Sequence, residues 1–106
     1  MSVKNVVVLS AVRSAIGTFN GSLKAIEPSE LAAQVLKQGI ERSGVTADKF
    51  ESSVVRNTIP TESRFSYVAR VASLQAGMSV NSPAMALHRW CSSGLSAVRH
   101  SRTGVR

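Results

Sequence analysis

Apolar residues along this chain follow two kinds of spacing, and the two kinds alternate. Residues 3–9, 53–59 and 84–87 contain short apolar runs, the first of them rich in valine. Runs of this length, bounded by turn-forming residues, indicate strands buried within a sheet. Between them, apolar residues recur every three or four positions, which indicates helices with one buried face.

The first helix has signals at both ends. Pro28 is placed at its start, because proline is favoured at the first helical position, and Glu30 in the first turn suits the helix dipole. Gly44 is placed to end it as a C-terminal cap, while Gly39 weakens its interior by about 1 kcal/mol relative to alanine. A short helical turn near Thr46 is predicted before the next strand.

Residues 61–72 are predicted to open a second helix, which ends at Gly77. Its apolar face is predicted to consist of Tyr67, Val71 and Leu74, with Val68 and Ala72 beside them. The strand at 84–87 then leads through Cys91 into a third helix. This order, β–loop–α–β–α–β–α, predicts an α/β fold with right-handed crossovers and an incomplete, doubly wound sheet.

Arg13 and Arg56 have no obvious partner in the sequence. Arg13 lies in residues 11–23, a predicted loop whose Gly and Asn residues favour tight turns. We interpret Arg13 as an anchor of this loop without a catalytic role. Arg56, in the second predicted strand, is expected either to point outwards at a sheet edge or to lay its apolar stem along the surface.

The chain is basic, and its charge is uneven. It has 106 residues, which suits one small domain or part of a larger one, and its net charge is +7. No acidic residue follows Glu62, whereas six arginines do: Arg64, Arg70, Arg89, Arg99, Arg102 and Arg106. A basic surface suits nucleic acid or a phosphate-bearing ligand. Because the arginines are scattered and no nucleic-acid-binding motif accompanies them, we expect no nucleic-acid partner.

The composition also bears on the compartment. A single cysteine excludes an intrachain disulfide and gives no sign of an oxidising compartment. No apolar run is long enough to span a membrane, and the first run is too short for a signal peptide. We therefore expect a cytoplasmic protein without a membrane partner.

Cys91 is the strongest candidate for a catalytic residue in this sequence. It follows a short apolar run and precedes Ser92, Ser93 and Gly94, whose small size would let a substrate approach the sulfur. A cysteine at a strand-to-helix junction lies near free backbone N–H groups and the positive end of the helix dipole, which favour the nucleophilic thiolate. The alternative is a buried structural cysteine.

A family resemblance favours the nucleophile. It lies in the run Arg89-Trp90-Cys91-Ser92-Ser93-Gly94-Leu95, which resembles the nucleophile motif of the thiolases, a family of acyl-CoA acetyltransferases. The loop after Arg13, with the pattern Ile-Gly-x-Phe-x-Gly-x-Leu, is similar to the loop that follows the first thiolase strand, and residues 61–72 resemble the second helix of a thiolase subgroup. The likeness covers residues 5–98 and implies a thiolase-like β-α-β-α-β-α partial layer. Residues 1–98 would be the N-terminal part of a thiolase-like N-terminal domain.

The resemblance implies a reaction as well. Cys91 would take an acyl group from coenzyme A, for Claisen condensation or thiolytic cleavage of a 3-ketoacyl-CoA. The implied partners are acyl-CoA and coenzyme A, which are substrates; no bound cofactor or metal is expected, and the family forms homo-oligomers, as dimers or tetramers. Thiolases draw a histidine and a second cysteine from their C-terminal half. Because this chain has one cysteine, we expect the chain as given to be inactive.

The likeness ends after Val98. Thiolases continue there with an apolar, alanine-rich helix, whereas residues 99–106 contain three arginines and are predicted to form an aberrant basic tail. A frameshift or premature end after Val98 would explain this composition. We also expect the chain to be marginally stable and prone to aggregate, with an exposed sheet edge.

Other interpretations remain open. His88, where the family usually has asparagine, and His100 are candidate bases, but neither is expected to reach the sulfur of Cys91. A metal site built from these three residues would lack a fourth ligand. The chain could also be a ketoacyl synthase-like condensing enzyme, or a non-catalytic fragment that acts only through binding.

Overall fold

A computed structural model of the chain describes residues 5–59, 61, 63 and 65–103. Its helices and strands occur in the order α1 (Pro28–Ser43), β1 (Ser53–Arg56), α2 (Val68–Gln75), β2 (Ala84–Leu87) and α3 (Ser93–Thr103). Short 3-10 turns occur at Ala47–Lys49, Phe65–Tyr67 and Trp90–Ser92. The described part of the chain is therefore α/β, as predicted.

α1 begins and ends where the sequence indicates. Pro28 is its first residue, and Gly44 follows its last residue with a left-handed φ of 73°. The Gly44 N–H donates to the Glu41 carbonyl at 3.4 Å, which closes the last turn. Glycine adopts this conformation without the Cβ clash that other residues would suffer, which is why the helix stops here.

The two strands form a parallel pair. Ser53 lies opposite Ala84, and Arg56 lies opposite Leu87. Parallel strands need a crossover connection, and α2 supplies it while packing against both strands and against α1. The strand predicted at 84–87 is confirmed, whereas the one predicted at 53–59 ends three residues earlier, at Arg56.

The strand predicted at residues 3–9 is wrong for the part that the structure describes. Residues 5–9 form no strand, and Val7 and Val8 are 72% and 83% exposed. Residues 1–4 lie outside the described residues. The strand preference of β-branched residues reflects how well they fit a pleated, half-buried surface. Such residues therefore form no strand where no neighbouring strand pairs with them.

The N-terminal segment contacts α1 instead. The Ser10 hydroxyl donates to the Gly39 carbonyl at 2.7 Å. A Cβ on Gly39 would lie 3.5 Å from Val12 Cγ2, so the segment runs close to the helix at this glycine. A cavity of about 520 Å³ lies between this segment, α1 and β1.

α2 starts later than predicted, and a different face of it is buried. It begins at Val68 after a 3-10 turn, and residues 60, 62 and 64 lie outside the described residues. Its buried residues are Val68, Ala69, Ala72 and Ser73, whereas Tyr67 is 67% and Leu74 is 39% exposed. Small side chains line the packed face because α2 touches α1 and both strands. The prediction placed the largest apolar residues there and was wrong for Tyr67 and Leu74.

Arg70 joins α2 to the loop that precedes β2. Its guanidinium donates to the Ser82 carbonyl at 2.8 Å and to the Val80 carbonyl at 2.7 Å. The Ser82 hydroxyl in turn donates to the Phe50 carbonyl at 2.7 Å, close to the start of β1. These three hydrogen bonds hold the beginnings of the two strands relative to α2.

The remaining predictions of local structure have mixed outcomes. The turn near Thr46 is confirmed at Ala47–Lys49, where a hydrogen bond from the Thr46 side chain lowers the pKa of Asp48 below its ordinary value. Arg13 is exposed and makes no hydrogen bond or ion pair with another described residue, so its interpretation as a loop anchor has no support. Among the described helices, none is long and apolar enough to cross a membrane.

Candidate active site

Cys91 lies in the 3-10 turn Trp90–Ser92, between the end of β2 and the start of α3. Its side chain is an exposed free thiol. The predicted strand-to-helix junction is therefore confirmed, and the exposure contradicts the alternative of a buried structural cysteine. A thiol in this position is open to an approaching substrate.

The residue before Cys91 has an unusual backbone. Trp90 has a φ of 49°, in the left-handed region that bulky residues rarely adopt. Its N–H donates to His88 Nδ1 at 3.3 Å, and the two rings meet edge to face with centroids 4.8 Å apart. The backbone turns sharply here, and this turn presents Cys91 at the surface.

A serine hydroxyl closes the same turn from the other side. Ser93 is fully buried, and its Oγ accepts a hydrogen bond from the Arg89 N–H at 2.7 Å. The same hydroxyl donates to the Trp90 carbonyl at 2.6 Å. A backbone bond from the Ser92 N–H to the Arg89 carbonyl, at 3.1 Å, completes the turn. These three hydrogen bonds fix the backbone of residues 89–92.

The backbone N–H of Cys91 is available as a donor. It is among the first amides of the helical run that continues through α3, and such amides have no carbonyl partner one turn earlier. No hydrogen bond from it to another described residue is present. A donor beside the sulfur can bind the carbonyl oxygen of a group that the sulfur attacks.

Neither histidine is joined to Cys91 by a hydrogen bond within the described chain. His88 Nδ1 accepts the Trp90 N–H, and His100 Nδ1 lies 3.0 Å from the Ser96 carbonyl on α3. His100 is nine residues beyond Cys91, which corresponds to about 13 Å along a helix. Among the described residues, no group of three His, Cys, Asp or Glu side chains could hold a metal ion.

The surroundings of the cysteine are apolar on one side and basic on another. Leu95 and Val98, one and two turns after Cys91 on the same helix face, are 82% and 70% exposed. A polar cleft of about 330 Å³ is lined by Arg89, just before the turn, and by Ser96, Arg99 and His100 of α3.

Sequence reasoning missed two features of this site. The left-handed Trp90 had no signal, because this conformation favours glycine and asparagine over tryptophan. The hydrogen bonds of Ser93 did have a sequence signal, because a serine near a helix start often bonds to the backbone within three or four residues. The sequence alone singles out Ser93 only for its small size.

Comparisons with known proteins place this site in context. The family model described as the N-terminal domain of thiolase matches residues 6–106. The beta-ketothiolase BktB of Cupriavidus necator is 45% identical over 95 residues, a match that covers 90% of this chain and 24% of that protein. An acetyl-CoA acetyltransferase of Clostridioides difficile is 35% identical over 105 residues, with 97% of each chain covered.

A solved structure has the same fold. The acetyl-CoA acetyltransferase of Bacillus anthracis matches with a TM-score of 0.83 and 36% identity, over 90% of this chain and 24% of that one. The chain therefore spans about a quarter of the length of the Cupriavidus and Bacillus proteins. The likeness to the Bacillus structure confirms the thiolase-like partial layer.

Proposed function

This chain belongs to the thiolase family, and we propose that Cys91 is the residue that accepts an acyl group from an acyl-coenzyme A thioester. The observation that carries the proposal is the exposed thiol at the turn before α3. The family match favours this function over that of a ketoacyl synthase-like enzyme.

The proposed chemical step uses two groups of the turn, the thiol and the backbone N–H of Cys91. The Cys91 thiolate attacks the thioester carbonyl, the bond from carbonyl carbon to coenzyme A sulfur breaks, and coenzyme A leaves as a thiolate that takes a proton from water. The Cys91 N–H donates to the carbonyl oxygen as negative charge develops there. The product is a thioester on Cys91.

For the whole protein we propose acetyl-CoA acetyltransferase activity, by Claisen condensation or thiolytic cleavage of a 3-ketoacyl-CoA. The names of the relatives support this, since two of them are a beta-ketothiolase and an acetyl-CoA acetyltransferase. Acyl-CoA and coenzyme A are the proposed partners. Four further points remain proposals as well: a cytoplasmic location, a homo-oligomeric state, the absence of a bound cofactor, and the division into residues 1–98 and a basic tail at 99–106.

We propose further that the 106 residues alone do not turn over substrate. They contain one cysteine, so no second thiol can move a proton at the substrate α-carbon. Neither His88 nor His100 is hydrogen-bonded to Cys91. Nucleophile, base and oxyanion donors act as a unit, and removing members of such a unit costs several orders of magnitude in rate.

Acylation can be tested on the purified chain. We expect incubation with acetyl-CoA to add one acetyl group, visible by intact mass spectrometry and located on Cys91 by peptide mapping. The matched variant Cys91→Ser should remain unmodified under the same conditions, and a urea-unfolded sample gives the rate of an ordinary thiol. Acetylation that persists in Cys91→Ser would contradict the assignment of Cys91.

Turnover is tested separately. With acetoacetyl-CoA and free coenzyme A, we expect loss of no more than one equivalent of substrate per chain. Loss beyond one equivalent that disappears in Cys91→Ser would show that the chain is active and would contradict the proposed inactivity.

A further inference from the structure

We infer that Ser93 is a positioning residue for Cys91: its buried hydroxyl holds the turn that presents the thiol and thereby sets the reactivity of the cysteine. The inference rests on the proposed role of Cys91 as nucleophile. It goes beyond that role, because Ser93 itself touches neither the acyl group nor coenzyme A in the proposed step.

The hydroxyl of Ser93 bridges two backbone groups on the N-terminal side of Cys91. It accepts from the Arg89 N–H at 2.7 Å and donates to the Trp90 carbonyl at 2.6 Å. A hydroxyl has a single O–H to donate, so its donor is fully used here. Cys91 lies between Trp90 and Ser93, which this hydroxyl ties together, and the direction of its N–H is set by that connection.

The turn needs such a connection because its backbone is strained. Trp90 holds a φ of 49°, and a bulky residue stays in this region only where surrounding interactions determine it. One such interaction is the bond from the Trp90 N–H to His88 Nδ1, at 3.3 Å. The two Ser93 bonds are shorter and part-buried, and Ser93 itself has no exposed surface.

Loss of the hydroxyl would leave both backbone groups without their partner. Alanine at position 93 can neither accept the Arg89 N–H nor donate to the Trp90 carbonyl. Because both bonds are part-buried, leaving these groups unpaired is costly, so the turn should relax towards ordinary backbone angles at which water can reach them. Relaxation at Trp90 would move Cys91 away from its place among the first amides of the helical run.

Another serine in the chain shows what a purely structural hydroxyl looks like. Ser73 is 1% exposed, and its hydroxyl donates to the Arg70 carbonyl at 3.1 Å, again three residues earlier. It lies within α2, away from the cysteine turn. Ser73→Ala therefore matches Ser93→Ala in burial and in the lost donor bond, but leaves the turn at Cys91 intact.

The experiment measures iodoacetamide alkylation of Cys91 at neutral pH by mass spectrometry, in the folded chain and in urea. Dividing the folded rate by the unfolded rate removes the intrinsic reactivity of a thiol. Helix-terminus effects of the usual size correspond to about two- to fivefold in this ratio. We expect Ser93→Ala to lower the ratio by that factor, and Ser73→Ala to leave it unchanged while both variants lose stability.

A second measurement keeps the inference testable if Ser93→Ala does not fold. Amide hydrogen exchange in the unmodified chain should show protection at Arg89, whose N–H is bonded only to the Ser93 hydroxyl among the described residues. Ser93→Thr, which keeps the hydroxyl, should retain this protection. An unprotected Arg89 amide in the folded, unmodified chain would overturn the inference.

Equal alkylation ratios for Ser93→Ala and Ser73→Ala would also overturn it. Failure of the proposed function gives a different pattern. If Cys91 is not acylated by acetyl-CoA but Ser93→Ala still lowers the alkylation ratio, the positioning role stands and the acyl-transfer role does not.

Discussion

Replacing Arg70 with methionine should destabilise the fold by removing the connection between α2 and the loop before β2. The guanidinium donates to the carbonyls of Ser82 and Val80, at 2.8 and 2.7 Å. Methionine is similar in length and suits a helix, but it donates no hydrogen bond. The change therefore tests the two bonds rather than the packing of the side chain.

The magnitude follows from the surroundings of each bond. A hydrogen bond from a charged donor contributes about 1.5–3 kcal/mol, towards the low end or below it where water competes. The bond to Ser82 is part-buried and the bond to Val80 is exposed. We assign about 1.5 kcal/mol to the first and about 0.5 kcal/mol to the second, so Arg70→Met should lower the free energy of unfolding by about 2 kcal/mol.

Urea unfolding followed by circular dichroism measures this difference, with Arg13→Met as the control. Arg13 is exposed and makes no hydrogen bond or ion pair with another described residue, so its replacement changes the charge alone and should alter stability by about 0.5 kcal/mol or less. If the two variants unfold at the same urea concentration with equal slopes, the Arg70 bonds do not stabilise the chain, and the reasoning is refuted.

Two further pairs of variants test the turn and the first helix. His88→Asn should leave the rate of Cys91 alkylation unchanged, because an asparagine side chain can accept the Trp90 N–H in an Asx-turn, as His88 does. His88→Ala should slow the alkylation. Equal alkylation rates in the two variants would contradict this role of position 88. Gly39→Ala should raise the free energy of unfolding by about 1 kcal/mol, since its Cβ would meet Val12 at an ordinary 3.5 Å, and Gly44→Ala should lower it by about 1 kcal/mol at its φ of 73°. Urea unfolding that shifts both glycine variants in the same direction would count against the second pair.

The predictions that succeeded rest on local signals. The bounds of α1 could be predicted because proline is tolerated in a helix only in its first turn, where Pro28 lies, and because Gly44 readily adopts the left-handed conformation that ends the helix. The strand at 84–87 and the helix after Cys91 were likewise visible as a short apolar run followed by small residues. Each of these signals acts within a few residues of the feature that it predicts.

The predictions that failed depend on partners distant in the sequence. The valines of residues 5–9 satisfy every local requirement of a strand, but a strand exists only when another strand lies beside it. The buried face of α2 is set by how closely α1 and the two strands approach, which favours Ala69 and Ala72 over Tyr67 and Leu74. Periodicity finds such a helix but does not show which side of it will be packed.

The candidate site depends both on contacts within a few residues of Cys91 and on contacts distant in the sequence. Experiments can separate the two. The groups that hold Cys91 in its turn, His88, Arg89 and Ser93, lie within three residues of it, whereas the groups that hold β2 in place include Arg70, more than ten residues before the strand. Arg70→Met should therefore lower the stability of the chain without changing the alkylation ratio of the molecules that remain folded. Ser93→Ala should change that ratio, and Ser73→Ala should not. A general loosening of the fold would change stability and reactivity together. A loss of stability with an unchanged alkylation ratio in Arg70→Met, beside a lowered ratio in Ser93→Ala, would therefore locate the control of Cys91 within its own turn.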